Sequence, residues 1–479
     1  AECEAAYGGG GKRCSSEGEC VECLASVDDC AEVEAPICDD TSQTCRDCDE
    51  DTECEARGEG LDACDDVSGE CVECTDSALH CAGIYSPVCD GTSHTCRECS
   101  SHEECDHKGG LCEFSTGKCV GSWSIVYVDC EAVSNGDGSE AFPYNDLGDG
   151  VTAVEYGAGP YVLVEGSCEP VVFMGTPEVY IYGKDGAEVA SDGTMALIHL
   201  DYDPGDAQGV VGIHGMTLRG EVGHSGNGVV CNGTSSVVPS LQLDNVIIEE
   251  AGLIGIEANY CNLEMTKSHI INVSQAGVVA YSSEITMTGS AVVGSGGGGM
   301  EISDSDLTMK GCEVRQNTHG AVNFTNGNGV FWNNLVHQGG VYSPCWGGFS
   351  LEPGATHTVE FWNNTVVQEY PFGGPFLVDC SEPITLYNSV FAGPGELLAN
   401  NCVPEYCYIE DGSGGGAKTG CLETGTPGFV GGGDFHLGAT SPCIDQGTST
   451  GMPAGLTVDI DGENRVQGGG VDMGADEAQ

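Results

Sequence analysis

Between residues 240 and 327 apolar side chains alternate with polar ones in short bursts, and the bursts return every 22 residues. Four segments align without a gap: 240–261, 262–283, 284–305 and 306–327. Equivalent positions carry Leu241, Leu263, Ile285 and Leu307, then Leu243, Met265, Met287 and Met309. Ile248, Ile270, Val292 and Val314 follow, then Ile256, Val278, Met300 and Val322, then Ala258, Ala280, Ile302 and Phe324. Apolar residues at i and i+2 predict strands with one buried face. Three such strands per 22 residues, repeated in register, predict one coil of a parallel β-helix, in which like residues stack over like. The period-2 pattern excludes a helical solenoid, and the Leu/Asn signature of a leucine-rich repeat is missing. Later segments repeat the theme less regularly, as GVFWNNLVHQ, VEFWNNTVVQ and ITLYNSVFAG. Their Asn333/Asn334, Asn363/Asn364 and Asn388 suit left-handed or side-chain-bonded turns.

The first 120 residues follow another rhythm, set by cysteine. Cys20/Cys23, Cys45/Cys48, Cys71/Cys74 and Cys96/Cys99 are Cys-x-x-Cys pairs. Between and after them run Cys30, Cys38, Cys54, Cys64, Cys81, Cys89, Cys105, Cys112 and Cys119. PICDDTSQTCRDC (36–48) returns as PVCDGTSHTCREC 51 residues later. Units this small cannot bury a core and need cross-links. Cys-Asp-x-x-Ser/Thr-x-x-Cys reads as a hairpin with cysteines flanking the turn. Paired Cys-x-x-Cys is also a zinc pattern, but no His recurs with it, so these cysteines are expected to be disulfides of an oxidising compartment. Their pairing is open. Nineteen cysteines precede residue 121 and eleven follow it. Two odd numbers predict one bridge between the regions, with Cys130 the nearest partner. Cys231 and Cys261 are expected to staple a coil edge.

Seventy-five acidic residues face 14 basic ones, a net charge of −61. That surface repels nucleic acid and anionic polymers. No apolar run reaches the ~18 residues of a membrane span, so membrane insertion is not expected. The chain opens at Ala1 and reads as a mature secreted chain whose signal peptide has been removed.

VYVDCEAVSNGDGSEAFPYNDL (126–147) resembles the opening segment of pectin-lyase-like β-helix proteins of secreted bacterial origin. DFHLGATSPCIDQGTSTG…VDIDGENRVQGGGVDMGADE (434–477) is similar to the C-terminal cap of bacterial β-helix surface proteins, and the Cys-rich repeats resemble those of large secreted myxobacterial proteins. The resemblance implies an all-β chain: a Cys-rich tandem-repeat arm over 1–120, a right-handed parallel β-helix over 121–433 and its cap over 434–479. It also implies a surface or secreted role, since many such proteins have no assigned activity.

Helices of this family often cleave acidic polysaccharides, which requires a basic residue and Ca²⁺, or else paired carboxylates. Beyond residue 121 only Lys184, Arg219, Lys267, Lys310, Arg315, Lys418 and Arg465 are basic, and none share an aligned position. Glu301, Asp304, Asp306 and Glu313 are the nearest carboxylate group, and His214, His269 and His319 form no column. No catalytic residue is therefore assigned. DIDGE (459–463) has the oxygen density Ca²⁺ favours, with Asp445, Asp459, Asp461 and Asp472 as candidate ligands of a structural calcium and no other cofactor expected. Asn232, Asn272, Asn323 and Asn363 open glycosylation sequons.

The expected function is that of a non-catalytic extracellular structural protein. Open β-helix ends expose strand edges, and the arm could bind a neighbouring copy head to tail, producing a homopolymeric surface filament or matrix fibre. The alternatives are a monomeric adhesin that binds surface glycans and a secreted polysaccharide lyase or glycoside hydrolase.

Overall fold

The computed structural model describes the chain apart from residues 1–12, 15–19, 25–29, 31–35, 40, 56–59, 78, 84, 115, 176–177, 185, 222–224, 339–346, 369–375, 413 and 479. Two compact units, Ala1–Ile125 and Val126–Gln479, make up the chain.

The first unit is a row of two-stranded antiparallel hairpins. Four share one design. Cys38 faces Cys45, Cys64 faces Cys71, Cys89 faces Cys96 and Cys112 faces Cys119 across the ladder. Each hairpin is then bonded to the two cysteines before it. Cys23–Cys38 and Cys30–Cys45 form one quartet, and Cys48–Cys64 and Cys54–Cys71 the next. Cys74–Cys89 with Cys81–Cys96, and Cys99–Cys112 with Cys105–Cys119, complete the series. Every quartet pairs first with third and second with fourth. The Cys-x-x-Cys motif is thus not a unit but a seam, joining the last cysteine of one quartet to the first of the next. The Cys20 side chain, with those of Cys3, Cys14 and Cys345, lies outside the described residues.

The turns follow from their sequence. Asp39 Oδ1 accepts the N–H groups of Thr41 and Ser42, Asp90 Oδ1 those of Thr92 and Ser93. Gln43 and His94 then take positive φ to close the turn. Arg46 pairs with Glu53, and Arg97 with Glu104 at 2.5 Å, tying each hairpin to the segment that begins the next quartet.

The second unit is the right-handed parallel β-helix. Three parallel sheets of twelve, eleven and nine strands run its length, and every third strand returns to the same sheet. The 22-residue register holds as read. Leu241, Leu263, Ile285 and Leu307 stack in the first sheet, Ile248, Ile270, Val292 and Val314 in the second, and Ile256, Val278, Met300 and Val322 in the third. All twelve are at most 2% exposed. Burial of each larger side chain contributes about 1.5–3 kcal/mol. Toward the C-terminus Phe324, Phe331, Phe349 and Phe361 replace the aliphatic ladder with edge-to-face rings 5.2–5.8 Å apart.

Both ends of the stack are covered. A helix over Leu147–Glu155, N-capped by Asp146, lays Leu147, Val151 and Val154 on the first strands. It comes so close that a Cβ on Gly150 would lie 2.6 Å from Val128 Cγ2. At the other end a partial coil over 414–422 adds a single bridge to each sheet, at Leu398↔Gly414, Glu405↔Thr419 and Tyr408↔Leu422. No described helix is long and apolar enough to cross a membrane.

Cys130 does not bridge to the Cys-rich unit. It bonds to Cys168 inside the β-helix, holding the first strand to the next coil. Sequence parity misassigned it because free thiols also occur: Cys312, Cys407, Cys421 and Cys443 are unbonded. Cys231–Cys261 forms as expected, and Cys380–Cys402 joins two later coils.

Candidate functional site

A turn between two sheets leaves main-chain N–H groups pointing into the core, where each needs a partner. At the turn between the first and second sheets one inward side chain per coil supplies it. Ser268, Ser290, Cys312, Asn334, Asn364, Ser389, Cys407 and Cys421 occupy this position in succession. The N–H of Ser268 donates to Ser290 Oγ, that of Cys312 to Asn334 Oδ1, that of Asn334 to Asn364 Oδ1, and that of Asn364 to Ser389 Oγ. Most of these side chains donate back to a carbonyl of the preceding coil, as Asn334 Nδ2 does to Met309 O and Asn364 Nδ2 to Phe331 O, while Cys312 and Ser389 donate to Lys310 O and Tyr387 O of their own coil. Cys261, Ser283 and Ser305 build a shorter ladder at the turn between the third and first sheets.

The residue before ladder members Asn334, Asn364 and Ser389 does a different job. Asn333, Asn363 and Asn388 take positive φ and turn their amides outward, one per coil, down one edge of the rod. The C-terminal segment docks on these amides. Asn333 Nδ2 donates to Val458 O, Asn363 Nδ2 to Asp472 O at 3.0 Å, and Asn388 Nδ2 to Thr448 O at 2.8 Å. The N–H of Thr448 returns a bond to Asn388 Oδ1. Beside them Trp332 and Trp362, on the outer face of the first sheet, pack against Leu456, and Leu437, Cys443 and Met473 cover Val390 and Tyr408. Residues 434–478 are therefore a lateral strap over the last coils.

One buried cation organises the strap. Arg465 is wholly enclosed. Its Nη2 donates to Asn333 Oδ1 and to the carbonyls of Gly474 and Ala475, all at 2.7 Å, and its Nη1 donates to Asp476 O and to Glu477 Oε2 at 3.3 Å. Burial pushes the Glu477 carboxyl up to about 7 and raises Asp472 and Asp476, while it lowers Arg465. In the sequence Arg465 is one of seven scattered cations beyond residue 121. Its signal was its place, the lone basic residue of an acidic cap.

The four calcium candidates do not converge. Asp459 Oδ1 accepts the N–H groups of Asp461 and Glu463, and its Oδ2 that of Glu477. Asp472 accepts from Asp445 and Ala478, and Asp445 accepts from Gly469. Of the four, only Asp461 joins a group of three metal-capable side chains, with His436 and Asp476. His436 holds Asp434 at Nδ1 and Asp461 at Nε2. Burial opposes its charge, but these carboxylates outweigh it and raise its pKa. The cysteine groups of metal-like spacing in the first unit are pairs of adjacent disulfides.

The carboxylates considered for catalysis are distributed over the coil's perimeter. Glu301 faces outward from the third sheet, Asp306 from the first and Glu313 from the second, and Asp304 lies at the turn between third and first. Asp304 and Asp306 accept bonds from Asn326 and Asn328 of the next coil, and Glu313 pairs with Arg315 and His337. Glu301 and His319 do come together, lining a cavity of about 240 Å³ with Met300, Val322 and Asn323. His214 stacks on Tyr182 in the first sheet, and His269 lies on the second. The basic residues join neighbouring coils: Arg219 bridges Glu188 and Glu249, Lys184 meets Glu165, and Lys310 lies over the Trp332 ring.

Of the sequons, Asn232 and Asn323 are partly exposed and Asn272 is exposed. Asn363 is not a glycan site in the folded chain. Its amide is fully buried and bonded to Asp472 O and Asn388.

Residues 227–391 match the family model described as right handed beta helix region. No curated protein matches the chain. Among solved structures the chain is similar to the pectate lyase Pel9A, with 15% identity over 74% of this chain and 96% of that one and a TM-score of 0.38. It is also similar to the A-module of the mannuronan C-5 epimerase AlgE4 of Azotobacter vinelandii, with 13% identity over 62% and 98% of the two chains and a TM-score of 0.32.

Proposed function

We propose that this chain is a secreted, non-catalytic structural rod whose copies associate head to tail, through the Cys-rich repeats, into a surface filament or matrix fibre. The observation that carries the reading is what the polar side chains do. The Ser/Cys/Asn ladder, the coil-to-coil ion pairs and the Asn-docked strap commit them to cohesion along the rod. Disulfides in both units suit an oxidising extracellular setting. Because a helix covers one end of the stack and a partial coil the other, association would join side-chain surfaces rather than extend the sheets. A structural calcium bridging exposed carboxylates between copies belongs to the same proposal, given the net charge of −61.

A second reading, a monomeric glycan-binding surface protein, is favoured by the cavity that gathers Glu301, His319 and Asn323. Negative-stain microscopy of the native protein, with and without chelator, separates the two. Uniform filaments are expected, shortened by chelator if calcium joins the copies. Isolated rods would overturn the assembly, and release of unsaturated or reducing sugar ends from acidic polysaccharides would overturn the non-catalytic reading.

A further inference from the structure

Two of the four free thiols among the described residues occupy consecutive steps of one ladder. Cys407 Sγ accepts the N–H of Ser389 at 3.4 Å and donates to Leu386 O at 3.1 Å, and Cys421 Sγ donates to Pro404 O at 3.3 Å. The parallel bridge Tyr408↔Leu422 sets Cys421 over Cys407 at one strand spacing, about 4.8 Å. That lies within the Cα separation a disulfide accepts, about 4.4–6.8 Å. The same rod already carries Cys380–Cys402, with Cα atoms 5.3 Å apart, and Cys231–Cys261, whose Cys261 is itself a member of the sister ladder. Cys312 shares the ladder with Cys407 but stands between Ser290 and Asn334, with no thiol beside it.

We propose that Cys407 and Cys421 are a dithiol modification site that closes into a disulfide and latches the partial coil 414–422 onto the last full coil. The two sulfurs differ in access. Cys407 is wholly buried, whereas Cys421 is partly exposed. Cys421 therefore attacks first. As a thiolate it displaces one sulfur of a small-molecule or protein disulfide, forming a mixed disulfide and releasing one thiol. Cys407 then attacks the Cys421 sulfur, expelling the second thiol. Two protein thiols are oxidised, one external disulfide is reduced to two thiols, and the two protons pass to the released sulfurs. The neighbouring Cys407 sulfur also lowers the Cys421 thiol below its ordinary range, which favours its thiolate.

The test uses the full-length chain secreted without reductant and exposed to oxidised glutathione at neutral pH. It is then acid-quenched, alkylated with N-ethylmaleimide under denaturing conditions, and mapped by mass spectrometry. A cross-linked peptide pair containing Cys407 and Cys421 is expected, with alkylation lost at both and retained at Cys312 as internal reference. Full alkylation of Cys407 and Cys421, or a bond from either to any other cysteine, would overturn the proposal. In Cys421→Ser, glutathione should leave Cys407 unmodified, and the mixed disulfide seen transiently on Cys421 of the parent should disappear. A mixed disulfide accumulating on Cys407 instead would overturn the assigned order of attack.

Discussion

Arg465 Nη2 donates to Asn333 Oδ1 at 2.7 Å across 132 residues of sequence. The contact fastens the strap to the outward-turned amide of a coil, and the same guanidinium meets Glu477 inside a fully enclosed site. Removing one partner of a buried ion pair strands the other charge, a loss of about 3–5 kcal/mol. Arg465→Met is therefore expected to release the strap while the coils stay folded. Limited proteolysis checks it: new cleavages should appear within 434–479, with the 240–327 coils still resistant.

Strap docking should strengthen as pH falls. The Glu477 carboxyl, held at about 7 by burial, has a folded pKa above its ordinary 4.5. Such a group contributes stability that is fully present below 4.5 and lost as pH rises through about 7. Asp472 and Asp476 are raised by burial and His436 by its carboxylates, so all act in the same direction. Hydrogen-exchange protection in 434–478, corrected for the intrinsic exchange rate at each pH, should rise from pH 8 to pH 5. Glu104 in the Cys-rich unit works the other way. Its pairing with Arg97 holds it at about 2, so its contribution is present above 4.5 and fades as pH falls toward 2. The two slopes are opposite in sign and fall in separate windows, 4.5 to about 7 for the strap and about 2 to 4.5 for the Glu104 pair, and a strap whose stability rises between pH 5 and pH 8 would contradict the assignment.

The ladder makes a sharper prediction than the apolar core does. Asn364 accepts the Asn334 N–H and donates to the carbonyls of Phe331 and Trp362, all inside the rod. Asn364→Leu keeps the volume and deletes these bonds, leaving buried main-chain groups unpaired at about 1–3 kcal/mol each. Ser389→Cys replaces one ladder oxygen by the atom that Cys407 already provides and should be nearly neutral. Denaturant midpoints of the two variants test the contrast.

The coils were legible because stacking is local in effect. Leu241, Leu263, Ile285 and Leu307 meet one another only if every intervening turn has one length, so the period itself encodes the contact. The hairpins were legible because Asp39 and Asp90 sit at fixed offsets from their cysteines. The strap was not, since its partners lie 60 to 132 residues apart with no repeat linking them. Asn363 shows the difficulty. Asn-Asn-Thr reads equally as a glycan acceptor and as a dock, and only burial against Asp472 O distinguishes them. Cys130 shows another. Counting cysteines assumes that all pair, and among the described residues the second unit keeps four unbonded thiols.

The Cys-rich hairpins give the remaining prediction, because two chemistries compete for the same sulfurs. Cys48, Cys54 and Cys71 lie within 4.8 Å of one another, close enough for a metal, yet two disulfides account for them. Chelator should leave the unit's hydrogen-exchange pattern unchanged, whereas reductant should unfold it. Replacing both Cys54 and Cys71 by serine opens a loop with a sequence separation of 17, which removes about 3 kcal/mol of restraint on the unfolded chain. The loss should stay within residues 48–71, since the neighbouring quartets keep their own bonds and are joined to this one by the Cys-x-x-Cys seams and by exposed or half-buried pairs such as Arg46–Glu53 and His80–Asp51. Exchange that accelerates throughout 23–119 would instead mean that the quartets fold as one cooperative block.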